Sequence, residues 1–153
     1  MSVRIIQGLE EFRTLVGQRL GTSDWTLITQ ERVQAFAEGT GDFQWIHTDP
    51  ERAARESPYG GTVAHGYMTL SLCNSLIQQI FHIEGLNMIL NYGLNRVRFP
   101  NPVKVGSRVR MSCDLMEVKE SPGGVLATCK QTFEVEGEAR PACIAETLVR
   151  LFF

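Results

Sequence analysis

The chain has 153 residues, of which 43% are hydrophobic and 21% charged, a composition typical of one globular domain. Its net charge of −2 and its isoelectric point near 5.9 give no support to nucleic-acid binding or to attachment to a membrane surface. The sequence shows neither the apolar core of a secretion signal nor an apolar run long enough to cross a bilayer. We therefore expect a single domain over residues 1–153, no membrane partner and a cytoplasmic location.

The cysteines show no pattern typical of a metal or redox site. No two of them have the CxxC spacing, and three fall within strand-like runs. Reduced core thiols are therefore favoured over disulfides for Cys73, Cys113, Cys129 and Cys143.

Short elements are predicted in the first third of the chain. Residues 9–16 form a candidate helix, and residues 25–28 a short strand. Thr29 can cap a second helix that runs to about Glu38, before two glycines free the backbone for a loop. Further along, Asp49 is followed by proline and glutamate, a pattern typical of a helix start.

The remaining chain predicts one helix followed by strands. Residues 65–82 carry apolar side chains at helical spacing and contain no Asp, Glu, Lys or Arg, which is typical of a helix buried inside a fold. After Gly85 the period changes from 3.6 to 2, and alternating runs follow over residues 87–99, 108–115, 125–135 and 142–152. The pattern predicts an α+β fold in which an antiparallel β-sheet wraps a long central helix.

One segment carries a possible chemical site. Asp42 precedes His47 by five residues in a glycine-bracketed loop, and an apolar helix begins directly after His65-Gly66. A carboxylate and an imidazole so placed can share one water molecule, and the first N–H groups of the helix can stabilise a developing oxyanion. The alternative is that Asp42 merely caps a turn while His47 fills space.

The segment resembles a known family. Its run T-G-D-x-x-x-x-H-x-D-P-x-x-A, followed by H-G-x-x-T-L-x-L, resembles the MaoC-like dehydratases and (R)-specific enoyl-CoA hydratases of the hotdog superfamily. The form F-Q-W-I-H is similar to the NodN-like branch. The resemblance implies a single hotdog domain, with Asp42 and His47 holding the reacting water and the N–H of Gly66 bonding the thioester carbonyl. It also implies an acyl-CoA or acyl-carrier-protein thioester as substrate and no cofactor.

Further residues are candidates for substrate binding. Gln44 can replace the asparagine of the usual hydratase pattern D-x-N-P-x-H, whereas Trp45 is bulkier than the proline and is expected to narrow the site and favour short or medium chains. His65 is either a third catalytic group or a residue that orders the turn. Asn91 and Tyr92 either line an acyl tunnel or pack within the sheet.

Rival functions remain open at this point. A hotdog thioesterase generally carries its active acid on the central helix, where this chain has none, and a non-catalytic acyl-thioester binding protein or an inactive partner subunit would not need an intact Asp42/His47 pair. A metal site would be short of ligands with one carboxylate and one histidine in the loop. An uncovered sheet edge favours a homodimer or a dimer of dimers.

Overall fold

A computed structural model describes residues 3–153 and contains a six-stranded antiparallel sheet. The elements, in chain order, are β1 (Arg4–Ile6), α1 (Gly8–Thr14), β2 (Arg19–Thr22), β3 (Thr26–Leu27), α2 (Gln30–Thr40), α3 (Trp45–Thr48), α4 (Pro50–Glu56), α5 (Gly66–Ser71), α6 (Cys73–Ile77), β4 (Phe81–Ile83), β5 (Met88–Arg98), β6 (Arg108–Ser121), β7 (Gly124–Val135) and β8 (Cys143–Phe152). The strand order is β2-β6-β7-β8-β5, and β3 also pairs with β6. The predicted α+β class is confirmed.

Alternating side chains explain why β6, β7 and β8 form the centre of the sheet. Every second residue of β7 from Val125 to Val135 is buried, and the same period holds at the start of β6. The predicted caps are also present. The hydroxyl of Thr29 accepts the N–H of Arg32 at 3.3 Å, and the carboxylate of Asp49 accepts the N–H of Arg52 at 2.9 Å.

The predicted helix over residues 65–82 is wrong in its length. It ends at Ile77, after a turn at Leu72 that separates α5 from α6, and the chain then enters β4. β4 pairs in parallel with β1, and this non-local pairing supplies the backbone partners that a longer helix would have supplied itself. None of the helices described over residues 3–153 is long and apolar enough to span a membrane.

Two buried clusters hold the sheet against the helices. One contains Leu76 of α6 with Ile6, Phe12 and residues of β6–β8, and the other contains Met68 of α5 with Val33 of α2. The α5–α6 segment therefore crosses the face of the sheet and contributes to both. The four cysteines are free thiols, as predicted, and those of β6, β7 and β8 are buried.

Strand β5 differs from its neighbours because it lies at the edge of the sheet. It pairs with β8 on one side only, and ten of its eleven residues are exposed. Its register slips twice, between Asn91 and Gly93 and between Leu94 and Arg96. These bulges bend the strand, and the first of them leaves Tyr92 outside the pairing.

Candidate active site

The predicted loop brings Asp42 and His47 together. Gly41 ends α2 with a φ of 77°, a left-handed conformation that suits glycine, and its N–H bonds the carbonyl of Ala37. The Asp42 carboxylate then accepts the N–H of Gln44 at 3.3 Å, just before α3 begins. One ligand atom from each of Asp42, His47 and His65 lies within 4.8 Å of the other two. The loop ends one residue before α3, so His47 itself lies on a single helical turn.

His47 is held in one tautomer. Its buried ring places Nδ1 2.6 Å from the carbonyl oxygen of Val63. Because a carbonyl oxygen only accepts hydrogen bonds, Nδ1 carries the proton and Nε2 keeps a free lone pair. Burial lowers the pKa of His47, an effect that the bond to Val63 and the charge of Asp42 partly offset. A neutral imidazole with Nε2 as acceptor is the form favoured near neutral pH.

His65 packs against His47 and also holds the loop. Its Nε2 lies 3.0 Å from the backbone carbonyl oxygen of Asp42 and donates a hydrogen bond to it. Its ring also stacks on the ring of His47, with 3.8 Å between the ring centres and 25° between the ring planes. The ring of Phe36 covers another side of His65 at 4.9 Å. His65 therefore orders both members of the predicted pair, which fits the turn-ordering alternative.

A glutamine that the sequence interpretation missed ties the same region to α2. The Nε2 of Gln30 donates to the backbone carbonyl of His47 at 2.7 Å, and its Oε1 accepts the hydroxyl of Thr62 at 2.6 Å. The N–H of Val63 in turn bonds the carbonyl of Ile46. α2, α3 and the segment before α5 are thus fixed to one another around the His47 ring.

Gly66 occupies the first position of α5, directly after His65. The first N–H groups of a helix have no partner within it, and the side chain of His65 does not cap α5. A Cβ atom at Gly66 would lie 3.1–3.3 Å from ring atoms of Phe99, so glycine permits the close approach of this ring. Because α5 is only six residues long, its dipole is weaker than that of a long helix. Stabilisation of an oxyanion at this end of α5 therefore depends on the N–H groups of its first residues.

Comparisons with known proteins agree with this geometry. The family model described as "MaoC like domain" matches residues 11–134. The chain belongs to this family. It is 50% identical to 3-hydroxyacyl-thioester dehydratase Z of Mycobacterium tuberculosis over 149 residues, covering 97% of this chain and 98% of that protein. It is 44% identical to nodulation protein N of Rhizobium leguminosarum bv. viciae over 147 residues, covering 95% and 91% of the two chains.

A solved structure extends the likeness to the hotdog fold. The (R)-hydratase from A. caviae involved in PHA biosynthesis superimposes with a TM-score of 0.72 at 26% identity, covering 88% of this chain and 95% of that one. This MaoC-like chain is accordingly a hydro-lyase with a hotdog fold, an enzyme that adds or removes water.

The expectation that Trp45 narrows the MaoC-like site stays a prediction, and the structure shows which neighbour its ring contacts. Trp45 and His47 are two residues apart on one helical turn, so their side chains leave α3 in nearly opposite directions. The guanidinium of Arg52 in α4 lies 4.4 Å from the centre of the Trp45 ring, which is therefore turned toward α4. The side chain of Gln44 is exposed at the start of α3, where its backbone carbonyl accepts the N–H of His47.

Asn91 and Tyr92 lie on β5 and do not line the same space as the Asp42/His47 pair. Both line a groove between β5 and the α5–α6 segment, where the bulge at Tyr92 lets two consecutive residues face the same space. They are therefore candidates for contact with a substrate chain, not with the reacting atoms.

The structure adds His65 to the two metal-ligand candidates found in the sequence. The count of possible ligands thus rises to three. However, the rings of His47 and His65 are stacked, so their nitrogen lone pairs point along nearly parallel planes and do not converge on one ion. Both rings also use one nitrogen on a backbone carbonyl. The arrangement suits proton transfer better than metal binding.

Proposed function

We propose that the protein adds water to a trans-2-enoyl thioester to give the (R)-3-hydroxyacyl thioester, or catalyses the reverse dehydration. One observation carries the proposal: the buried, neutral ring of His47 keeps its Nε2 lone pair free, and a ring nitrogen of His47 lies within 4.8 Å of a carboxylate oxygen of Asp42. The side chain of Asp42 is half exposed, so water and substrate reach the pair. The M. tuberculosis relative is itself named a 3-hydroxyacyl-thioester dehydratase, which supports the same substrate class here.

Two acceptors can hold one water molecule in the hydration direction. Nε2 of His47 and a carboxylate oxygen of Asp42 each accept one of its hydrogens, and the oxygen then attacks C3 of the enoyl group. The pair takes one proton from the water and a proton reaches C2, so that the elements of water are added without a redox step. Because the two groups are close together, their protonation is a property of the pair.

Gly66 is the proposed donor to the thioester carbonyl. As water attacks C3, negative charge moves to this oxygen, and a backbone N–H aimed at it stabilises the enolate. The acyl chain of the substrate is carried as a thioester by coenzyme A or by the phosphopantetheine of a carrier protein. No additional cofactor is needed, and this remains a prediction, as does the cytoplasmic location.

One pair of assays separates hydration from thioester hydrolysis. With crotonyl-CoA we expect loss of the enoyl absorbance and an (R)-3-hydroxybutyryl product, identified by chiral chromatography. Release of free thiol from a saturated acyl-CoA would instead support the thioesterase alternative. That alternative is disfavoured because α5 and α6 contain no Asp or Glu. Predominant (S) product would overturn the proposed face of water attack.

A homodimer is the proposed assembly, with β5 of one copy beside β5 of another. Long, apolar edge strands are normally paired or covered. Five large apolar side chains of this strand are between 45% and 64% exposed: Met88, Ile89, Leu90, Tyr92 and Leu94.

Light scattering tests this assembly on the purified protein. We expect a dimer for the wild type and dissociation for Leu90→Glu, because a charge would be buried between the two edge strands. Met116→Lys changes an exposed apolar residue outside β5 and should stay dimeric. A monomeric wild type at micromolar concentration would contradict the proposal.

A further inference from the structure

Two exposed aromatic side chains lie beside the start of α5. Tyr67, the second residue of this helix, is 71% exposed, and Phe99, which follows β5, is 40% exposed. Their ring centres are 6.0 Å apart and their planes meet at 88°, so the two rings form an aromatic corner. Neither ring belongs to the two buried clusters that residues 3–153 form. The aromatic corner therefore contributes little to the core and is open to a ligand.

Backbone pairing fixes Phe99 beside Gly66. Two backbone hydrogen bonds join residues 62–64 to residues 103–105, and the two segments run antiparallel. The chain that follows Phe99 is thus attached to the chain that leads into α5. The ring lies so close to Gly66 that a Cβ atom there would be 3.1–3.3 Å from three of its carbon atoms. Phe99 is therefore a direct neighbour of the residue proposed to bond the thioester carbonyl.

The chemistry of a thioester indicates which part of the substrate lies at this corner. Its carbonyl carbon bears the acyl chain on one side and the sulfur on the other. When the oxygen bonds the N–H of Gly66 and C3 reaches the Asp42/His47 pair, the sulfur leaves in the direction away from that pair. Of the rings next to Gly66, that of His65 stacks on His47, whereas the two rings of the aromatic corner contact each other.

We propose that the aromatic corner binds the pantetheine arm of the substrate next to its sulfur. The proposal rests on the proposed function, because it places the thioester carbonyl at Gly66. The arm begins with methylene groups and continues with an amide. The methylene groups pack against the ring faces of Tyr67 and Phe99, and the tyrosine hydroxyl offers a hydrogen bond to the amide. The corner thus adds affinity for the carrier part of the substrate at every acyl chain length.

Kinetics with a shortened substrate test this contact. Tyr67→Ser removes an exposed ring and should raise KM for crotonyl-pantetheine about tenfold with little change in kcat. The S-methyl thioester of crotonic acid lacks the arm, so its kcat/KM should stay within about twofold of the wild-type value. Tyr67→Phe keeps the ring and should retain most of the affinity for crotonyl-pantetheine. Equal losses with both substrates, or no loss with either, would overturn the proposal.

Phe153→Ser is the matched control for loss of an exposed aromatic ring. Phe153 is 38% exposed, and its neighbour Phe152 pairs with Met88 at the start of β5, whereas Phe99 follows the end of β5. The control should therefore leave kcat/KM unchanged with both substrates. A loss equal to that of Tyr67→Ser would make the effect a general one and would overturn the proposal.

The arm is common to coenzyme A and to acyl carrier proteins. Tyr67→Ser should therefore lower kcat/KM to a similar extent with crotonyl-CoA and with a crotonyl-loaded acyl carrier protein. The larger of the two wild-type values identifies the preferred carrier. A loss with only one of them would place Tyr67 against the nucleotide or against the carrier protein, and would overturn the assignment to the arm.

Calorimetry separates this proposal from the proposed chemistry. Butyryl-pantetheine has no double bond to hydrate, so its binding requires no turnover. We expect about tenfold weaker binding by Tyr67→Ser than by the wild type. That result, together with a wild type that hydrates no crotonyl thioester, would overturn only the proposed reaction. Equal affinities would overturn the binding of the arm, and a lower mass of Tyr67→Ser in light scattering would then assign the aromatic corner to contact with a second copy of the chain.

Discussion

The active site of this MaoC-like protein and the buried face of β7 differ in how their polar side chains are held. In the active site, His47 and His65 each use one nitrogen on a backbone carbonyl, and Gln30 fixes the main chain between them. In β7, the buried Oε1 of Gln131 has no hydrogen-bond partner among residues 3–153, and the same is true of Nδ1 of His65. The bonds of the active site set the tautomer of His47 and the position of the groups proposed to transfer protons, whereas no hydrogen bond fixes the side-chain oxygen of Gln131.

The largest effect should follow from removing the Asp42/His47 pair. Asp42→Asn and His47→Ala should each lower turnover of crotonyl-CoA at least about a hundredfold, because each removes a group that positions or accepts a proton. Steady-state kinetics measure the loss, and thermal unfolding verifies the fold. Glu51→Gln, an exposed acid in α4, is the control for a general effect of lost charge. Near wild-type turnover by either variant of the pair would disprove the dyad.

A pair of substitutions at Gly66 isolates the proposed oxyanion donor. Gly66→Ala keeps the N–H and adds a Cβ against Phe99, whereas Gly66→Pro adds a similar contact and removes the N–H. His65 already has the extended conformation that precedes proline readily, with φ of −59° and ψ of 139°. Proline should therefore cost about 3 kcal/mol more in the transition state than alanine, about a hundredfold in rate.

The comparison between these two variants decides the outcome. Equal kcat values for folded Gly66→Ala and Gly66→Pro would move the carbonyl-binding site away from Gly66. A large loss already in Gly66→Ala would show that displacement of Phe99, and not the N–H, controls the rate.

Much of the fold and the core of the site follow from local sequence patterns. The period of two predicts β6, β7 and β8, and the side chains of Thr29 and Asp49 identify two helix starts. Gly41 indicates the loop that brings Asp42 beside His47. These features depend on residues a few positions apart, so the local sequence is enough to predict them.

Contacts between distant segments were not predictable in the same way. β4 exists because β1 pairs with it, and the ring of Trp45 turns toward α4 because Arg52 offers its guanidinium. The hydrogen bond from Gln30 to the carbonyl of His47 joins residues 17 positions apart, so neither the sequence around Gln30 nor the sequence around His47 predicts it. Gln131 is a different case, because the sequence shows a polar residue in the alternating apolar row of β7 and the structure shows that this residue is buried.

His65 offers a smaller perturbation of the tightly held region. His65→Phe keeps a ring between Phe36 and His47 but removes the bond to the Asp42 carbonyl. One lost hydrogen bond of about 1 kcal/mol predicts a decrease in kcat of about fivefold. Because His65 also lowers the pKa of His47, the midpoint of the acid limb of the pH profile should move upward. A variant with reduced stability but an unchanged midpoint would indicate a purely structural role.

The smallest expected effect is the pH dependence of stability that His47 contributes. Burial lowers its pKa in the folded protein, an effect reinforced by His65 and opposed by the Val63 bond and by Asp42. The unfolded chain therefore binds a proton first as the pH falls below about 6.5, and folding stability decreases from there until the folded-state pKa has been passed. This loss is at most about 1.4 kcal/mol for each pH unit, the contribution of one proton. Urea unfolding at about pH 7.5 and about pH 5.5 should show a smaller difference for His47→Gln than for the wild type. The kcat/KM profile should likewise have its acid midpoint below 6.5, and a midpoint above that value would contradict a neutral His47 as the proton acceptor.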